Sequence, residues 1–170
     1  MRALQTILSG LAVVLLAGCA GYHLGSVNGV PAGEKSVQVL PFNNQTLQPR
    51  LGDALTQSLR ERLQVDATYR LATSGTSDIV LSGVIRQYNR EGLGYLNTDV
   101  STPQNYQVRI IAHVTARERA TGKLLFERDV PGHTLVHIGS DLASAERQAL
   151  PLLADDLAQN IVSLLTEGVW

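Results

Sequence analysis

The side chain with the most specific chemistry in this sequence is that of Cys19, the single cysteine of the chain. One thiol cannot form an internal disulfide and cannot supply a four-cysteine zinc site. Leu16, Ala17 and Gly18 precede it directly, so a soft sulfur nucleophile follows two small residues at the end of an apolar run. This order is typical of a bacterial lipobox, whose cysteine receives a diacylglyceryl group and becomes the first mature residue. The pattern therefore predicts lipid attachment at Cys19.

The segment before Cys19 has the features of a secretory signal. Arg2 gives it a positive start, and the apolar run from Leu4 to Ala17 is shorter than the roughly 20 residues that a membrane-spanning helix needs. The predicted organisation is a lipoprotein signal peptide at 1–18, a lipidated and glycine-rich tether at 19–34, and one folded domain at 35–170.

Lipidation would also decide where the protein is located. A buried methylene group contributes about 0.8 kcal/mol, and two acyl chains already give stable anchoring. Bacterial lipoproteins carry palmitate among these chains, and a residue other than aspartate after the cysteine generally permits transfer to the outer membrane. That residue here is Ala20. We expect a lipid-anchored protein on the periplasmic side of the cell outer membrane.

The other reactive side chains do not form a recognisable site. His133 and His137 are four residues apart, but Pro131 and Gly132 precede them, so the spacing does not place both on one helical face. Gly92-Leu93-Gly94 lacks the third glycine of a dinucleotide-binding loop, and the sequence contains no Gly-x-Ser-x-Gly. We predict that the protein is not an enzyme and has no catalytic residue, metal site or cofactor.

Composition excludes several classes of protein. The 170 residues are 44% hydrophobic and 17% charged, which excludes disordered, collagen-like and coiled-coil chains. Fourteen basic and 15 acidic residues give a formal charge of −1, whereas a protein that neutralises many phosphates of a nucleic acid is expected to be basic. We therefore predict no nucleic-acid partner.

The periodicity of apolar residues predicts the elements that must position any site. A leucine every four residues, from Leu51 to Leu63, predicts an amphipathic helix at about 50–64, and a second apolar stripe predicts a helix at about 141–167. Strands are predicted at about 35–42, 66–71, 78–88, 106–119 and 124–130, with a polar loop at 91–105.

Three residues in these elements carry expectations of their own. Gly83 is a possible bulge in the strand at 78–88. Pro131 is predicted to end the strand that begins at 124. Pro151 is predicted to kink the last helix or to break it into a short helix and a longer one.

This order of elements predicts an α+β fold. It is a two-layer sandwich with two helices packed on one face of a mostly antiparallel sheet of four to five strands. The strand at 106–119 alternates, with apolar residues such as Val108 and Ile110 on one side and Arg109 and Arg117 among the residues on the other. The face of the sheet without helices is then a candidate surface for a partner.

Several short motifs resemble one family, the lipopolysaccharide-assembly lipoproteins of the LptE family. The most specific is Tyr22-His23-Leu24, directly behind the lipobox, which is similar to the start of the mature chain in that family. The other motifs occur in the same order along the chain: Val37-x-Val-Leu-Pro-Phe-x-Asn44, Pro49-Arg-Leu, Tyr106-Gln-Val and Thr121-Gly122.

The resemblance implies a function and two partners. Members of the family plug and support the large outer-membrane β-barrel LptD, and the pair places lipopolysaccharide in the outer leaflet. Lipid A carries phosphates, and arginine forms forked hydrogen bonds to phosphate oxygens. The candidate contacts for lipopolysaccharide are Arg86 and Arg90, which enter the 91–105 loop, and Arg109 and Arg117 on the polar face. The alternative for each is a solvated surface arginine.

Two other functions remain open from the sequence. A periplasmic lipoprotein that activates a peptidoglycan synthase would share the anchor and the fold class. A lipid-anchored hydrolase would need a nucleophile and a base, and the sequence offers no such pair.

Overall fold

The structure, a computed structural model, describes residues 32–96, 99–137 and 141–168. The predicted signal peptide, Cys19, the Tyr22-His23-Leu24 motif and most of the tether lie outside these residues. The elements follow in the order β1 (Ser36–Val39), β2 (Asn43–Asn44), α1 (Leu51–Asp66), β3 (Arg70–Leu71), β4 (Ile79–Leu96), β5 (Asp99–Glu118), β6 (Leu124–His137) and α2 (Leu142–Glu167).

The sheet is larger and more mixed than the sequence predicts. Its strand order is β3-β1-β4-β5-β6, and β2 pairs with β4, which gives six strands in the described residues. The α+β class and the two helices are confirmed, but a mostly antiparallel sheet of four to five strands is wrong. β1 pairs parallel with β3 and β4, and β2 pairs parallel with β4, because α1 crosses over between these strands.

The two helices pack on each other and against the sheet, α1 on β1, β2 and β3 and α2 on β5 and β6. The predicted leucine ridge of α1 is confirmed, since Leu51, Leu55, Leu59 and Leu63 are completely buried. The alternation of β5 is also confirmed. Its side chains from Val108 to Ala116 on the helix side are buried, and Tyr106 packs partly buried against them.

The segment predicted as a polar loop at 91–105 is instead the paired end of a long β-hairpin. β4 continues to Leu96 and β5 begins at Asp99, with Tyr95 opposite Pro103. Pairing of β5 with β6 reaches only to Asn105 and His137 in the described residues. Pro103 therefore lies where β5 has β4 alone as a neighbour, and a missing N–H is tolerated at such an edge.

Neither proline breaks its element, and the kink predicted at Pro151 as the alternative to a break stays a prediction. β6 continues through Pro131, which pairs with Ile111, because β6 is an edge strand on which a proline removes no ladder hydrogen bond. α2 is one helix from Leu142 to Glu167, so the predicted break at Pro151 is wrong. Pro151 is exposed, where water can satisfy the carbonyl group that loses its helical donor.

Gly83 does not form the expected bulge. The register shifts in β4 lie between Ile85 and Gln87 and between Tyr95 and Leu96. A Cβ atom on Gly83 would stand 2.5 Å from the ring of Phe42 and 2.6 Å from the carbonyl oxygen of His113. This glycine is therefore needed so that the Phe42 ring can pack over the strand.

Candidate functional site

The face of the sheet opposite the helices carries three of the four predicted arginines and a histidine between two carboxylates. We call it the open face, and on β5 it consists of Arg109, Ile111, His113, Thr115 and Arg117. These side chains alternate with the buried ones and are partly or fully exposed. Cross-strand neighbours from β4 and β6 complete the surface, so residues far apart in sequence meet on it.

A group of ion pairs crosses the open face at His113. Its Nδ1 atom lies 2.8 Å from Oδ1 of Asp129, and its Nε2 atom lies 3.0 Å from Oε1 of Glu127. His113 and Asp129 are direct cross-strand partners on β5 and β6, and Glu127 is opposite Thr115. Antiparallel pairing therefore places one imidazole between two carboxylates.

Two of the predicted arginines lie at the ends of this group. Nη1 of Arg86 is 3.6 Å from Oδ1 of Asp129, and Nη2 of Arg117 is 3.7 Å from Oε2 of Glu127. Arg86 reaches the open face by the ordinary alternation of a strand, because the residue before it, Ile85, is buried opposite Ala112. We call the series Arg86, Asp129, His113, Glu127 and Arg117 the charge row, since positive and negative groups alternate along it.

Arg109 also lies on the open face, but outside the charge row. It is exposed and has no hydrogen-bond or ion-pair partner in the described part of the chain. It borders a shallow depression of about 150 Å³ together with Asn89, Glu91 and Gln107. Arg109 is therefore the predicted arginine whose charge is least neutralised by a neighbour.

Arg90 lies on the other side of the sheet. It is opposite Val108, a buried residue of the helix-covered face, and its Nη1 atom is 2.8 Å from Oε1 of Glu146 on α2. Burial, and after it the charge of Glu146, raise the pKa of nearby Tyr88 to about 12. The ion pair fastens the first turns of α2 to β4.

A cleft of about 470 Å³ lies between Arg86 at one end of the charge row and the ion pair of Arg90 with Glu146. Arg86 and Arg90 both border it, with Glu146 and the loop at 45–48 on its other sides. The loop is held by the Asn44 side chain, which donates to the carbonyl oxygen of Gln48 at 2.7 Å and accepts from the backbone N–H of Thr46 at 3.0 Å. The sequence gives no sign that the loop at 45–48 faces β4.

The structure therefore brings Arg86 and Arg117 to the ends of one charge row and leaves Arg109 apart on the same face, with Arg90 on the other face. In the described residues, no group of three or more His, Cys, Asp or Glu side chains is arranged to hold a metal ion. Neither α1 nor α2 is long and apolar enough to cross a membrane, among the residues described.

Comparison with known proteins adds the family. The family model LptE, described as Lipopolysaccharide-assembly, matches residues 34–165. This chain belongs to the LptE family. The predicted membership is thereby confirmed, and LptE proteins are a family of lipoproteins without enzymatic activity. A search of curated proteins finds no match to the chain.

Solved structures share the LptE-like fold of this chain at low sequence identity. Hypothetical protein CT253 from Chlamydia trachomatis is 13% identical with a TM-score of 0.57, covering 78% of this chain and 96% of that chain. Protein XCC0632 from Xanthomonas campestris is 15% identical with a TM-score of 0.55, covering 81% and 88%. A minor lipoprotein from Acinetobacter baumannii is 16% identical with a TM-score of 0.53, covering 78% and 92%. At these identities the likeness establishes the fold.

Proposed function

We propose that this LptE-family chain is an outer-membrane lipoprotein that plugs and supports the LptD β-barrel and binds lipopolysaccharide for assembly in the outer leaflet. The observation that carries the proposal is the family match over residues 34–165, which includes every described strand and nearly all of both helices. The lipobox at Cys19 supplies the membrane anchor in this account.

The open face suits the inside of a barrel. The interior of a large outer-membrane barrel is polar, so a plug must present polar and charged side chains to it. The open face does so with the charge row and Arg109. The helix-covered face holds the apolar core and is already occupied by α1 and α2.

The four predicted arginines are not equivalent as phosphate ligands. Arg109 has no carboxylate partner in the described residues, so binding of a phosphate to it breaks no ion pair. Arg86 and Arg117 lie 3.6 and 3.7 Å from carboxylates that His113 also contacts, so each retains part of its charge for a ligand. Arg90 is held at 2.8 Å by Glu146. We propose Arg109 as the main phosphate contact, with Arg86 and Arg117 beside it and Arg90 contributing least.

Depletion of the protein from its own cells tests the function. The proposal predicts that newly made lipopolysaccharide fails to reach the cell surface and that the barrel fails to assemble. Unchanged lipopolysaccharide export, together with a loss of peptidoglycan synthase activity, would instead support the cell-wall function that the sequence leaves open.

A further inference from the structure

The ring of His113 is held from both sides by carboxylates. Its two nitrogen atoms lie 2.8 Å from Asp129 and 3.0 Å from Glu127. An ionised carboxylate has no proton to donate, so it can only accept a hydrogen bond. A protonated imidazole has two N–H donors and satisfies both contacts. A neutral imidazole has one N–H donor, so its other nitrogen faces a carboxylate with no proton between them.

We propose that His113 is a proton-operated switch that sets the charge and the internal pairing of the open face. When His113 is protonated, its two hydrogen bonds complete the charge row and hold β5 against β6. When His113 loses the proton, one of the two carboxylates loses its N–H donor. That carboxylate then pairs only with its arginine, which is Arg86 for Asp129 and Arg117 for Glu127. The positive charge that these arginines offer to an anion then decreases.

The groups that face His113 determine the direction of the switch. Asp129 and Glu127 approach from β6, Arg86 approaches from β4, and Arg117 lies on β5 itself. Directly opposite on β4 is Val84, which does not titrate. The helices pack on the other face of the sheet. Hydrogen bonds that His113 donates to Glu127 and then to Asp129 raise its pKa, against smaller opposite effects of desolvation and of Arg86.

The raised pKa gives the dependence of stability on pH. A histidine whose pKa is higher in the folded than in the unfolded chain contributes its full stabilisation below the unfolded pKa. That contribution is lost as the pH rises through the folded pKa. The charge row has three positive and two negative groups when His113 is protonated, and it becomes neutral when the proton leaves.

The test is a pH titration of the imidazole nitrogens by NMR, on the full mature chain labelled with 15N in detergent micelles. The same chain in denaturant provides the unfolded reference. We expect His113 to titrate at a higher pH in the folded chain, and to show two protonated nitrogens below the midpoint. A midpoint equal to or below the unfolded reference would overturn the proposal without any variant having to fold.

Two variants test whether the carboxylates cause the shift. Asp129→Asn and Glu127→Gln each remove one acceptor charge and should each lower the midpoint of His113. Glu167→Gln is the matched control, because it removes the same charge at the exposed end of α2 and should leave the midpoint unchanged. A midpoint that neither Asp129→Asn nor Glu127→Gln lowers would show that the ion pairs do not govern the proton. None of these outcomes depends on binding to a barrel or to lipopolysaccharide.

Discussion

Gly132 on β6 lies directly against the backbone of Leu157 on α2. A Cβ atom at position 132 would stand 2.6 Å from Cβ and 3.0 Å from Cα of Leu157. Both residues are buried, so no solvent space is available for a shift. The absence of a side chain at Gly132 therefore sets how closely α2 approaches the sheet.

Replacement of Gly132 by alanine should destabilise the protein. An extra methyl group in a packed contact forces shifts that cost typically about 1–3 kcal/mol. We expect Gly132→Ala to lower the free energy of unfolding by this amount in a denaturant titration. Gly75→Ala is the control, since a Cβ atom there has nothing within 4 Å, and it should change stability by less than about 0.5 kcal/mol. Equal stability of the two variants would contradict the close contact.

The contact between Gly132 and Leu157 illustrates what the sequence could and could not predict. Leucine spacing and alternation depend on local periodicity, so α1 and the two faces of β5 were predictable from the sequence. By local rules Pro131-Gly132 indicates the end of a strand, but β6 is an edge strand and continues through the proline. A glycine occupies position 132 because Leu157 of α2 leaves no room for a side chain there. Such reasons lie in tertiary contacts with residues far along the chain, and no local pattern contains them.

Arg62 on α1 and Asp155 on α2 join the two helices by a two-pronged ion pair. Nε of Arg62 donates to Oδ1 of Asp155 at 2.6 Å, and Nη2 donates to Oδ2. The side chains are 36% and 44% exposed, so solvent screening limits the contribution to stability. A double-mutant cycle with Arg62→Gln and Asp155→Asn should give a coupling energy of about 0.5–1 kcal/mol. A coupling energy of zero would contradict the prediction that this ion pair stabilises the packing of α1 on α2.

Asp78 fastens the start of β4 to the start of β1. It accepts from the backbone N–H of Ser36 at 2.7 Å and from its hydroxyl at 2.6 Å, and Ser36 is only 2% exposed. Asp78→Ala leaves these donors without their acceptor, so we expect a loss of about 1–3 kcal/mol in the free energy of unfolding. Ser36→Ala keeps the backbone N–H donor but removes the hydroxyl, which also accepts from the backbone N–H of Asp78 at 3.1 Å, so it should lower stability as well in the same denaturant titration.

The same carboxylate predicts a loss of stability in acid. Hydrogen bonds from Ser36 are the main cause that lowers the pKa of Asp78 below its ordinary value. A lowered folded pKa means that the stabilisation is present above the unfolded pKa and is lost as the pH falls through the folded pKa. Thermal unfolding between about pH 5 and pH 2 should therefore show a smaller decrease for Asp78→Asn than for the natural chain. An identical decrease of thermal stability in the two proteins would show that Asp78 does not contribute to the loss of stability in acid.

Arg109 should dominate retention of lipopolysaccharide. A hydrogen bond to a charged group contributes about 1.5–3 kcal/mol, so Arg109→Glu should reduce the glycolipid that copurifies per protein molecule by roughly tenfold or more. Arg128→Glu is the matched control, because Arg128 is opposite Val114 and so belongs to the helix side of β6. Retention of glycolipid by Arg109→Glu at the level of the control would remove Arg109 from the site.

The candidate site was predictable only in part. Alternation on β5 was enough to place Arg109 and Arg117 on one face, because side chains in a strand have a period of two. The partners that decide what each arginine can do come from β6 and α2, namely Asp129, Glu127 and Glu146. Neither the charge row nor the cleft beside the 45–48 loop has a local signature. Both depend on register and packing between segments distant in sequence.

The most direct test of the proposed function is what copurifies with the full chain from its own membranes in mild detergent. Mass spectrometry of the material should show acyl chains on Cys19 and, in the same complex, an outer-membrane β-barrel of much larger mass together with lipopolysaccharide. Recovery of the chain alone, with a bare thiol at Cys19 or with a cell-wall synthase as its only companion, would contradict the proposal.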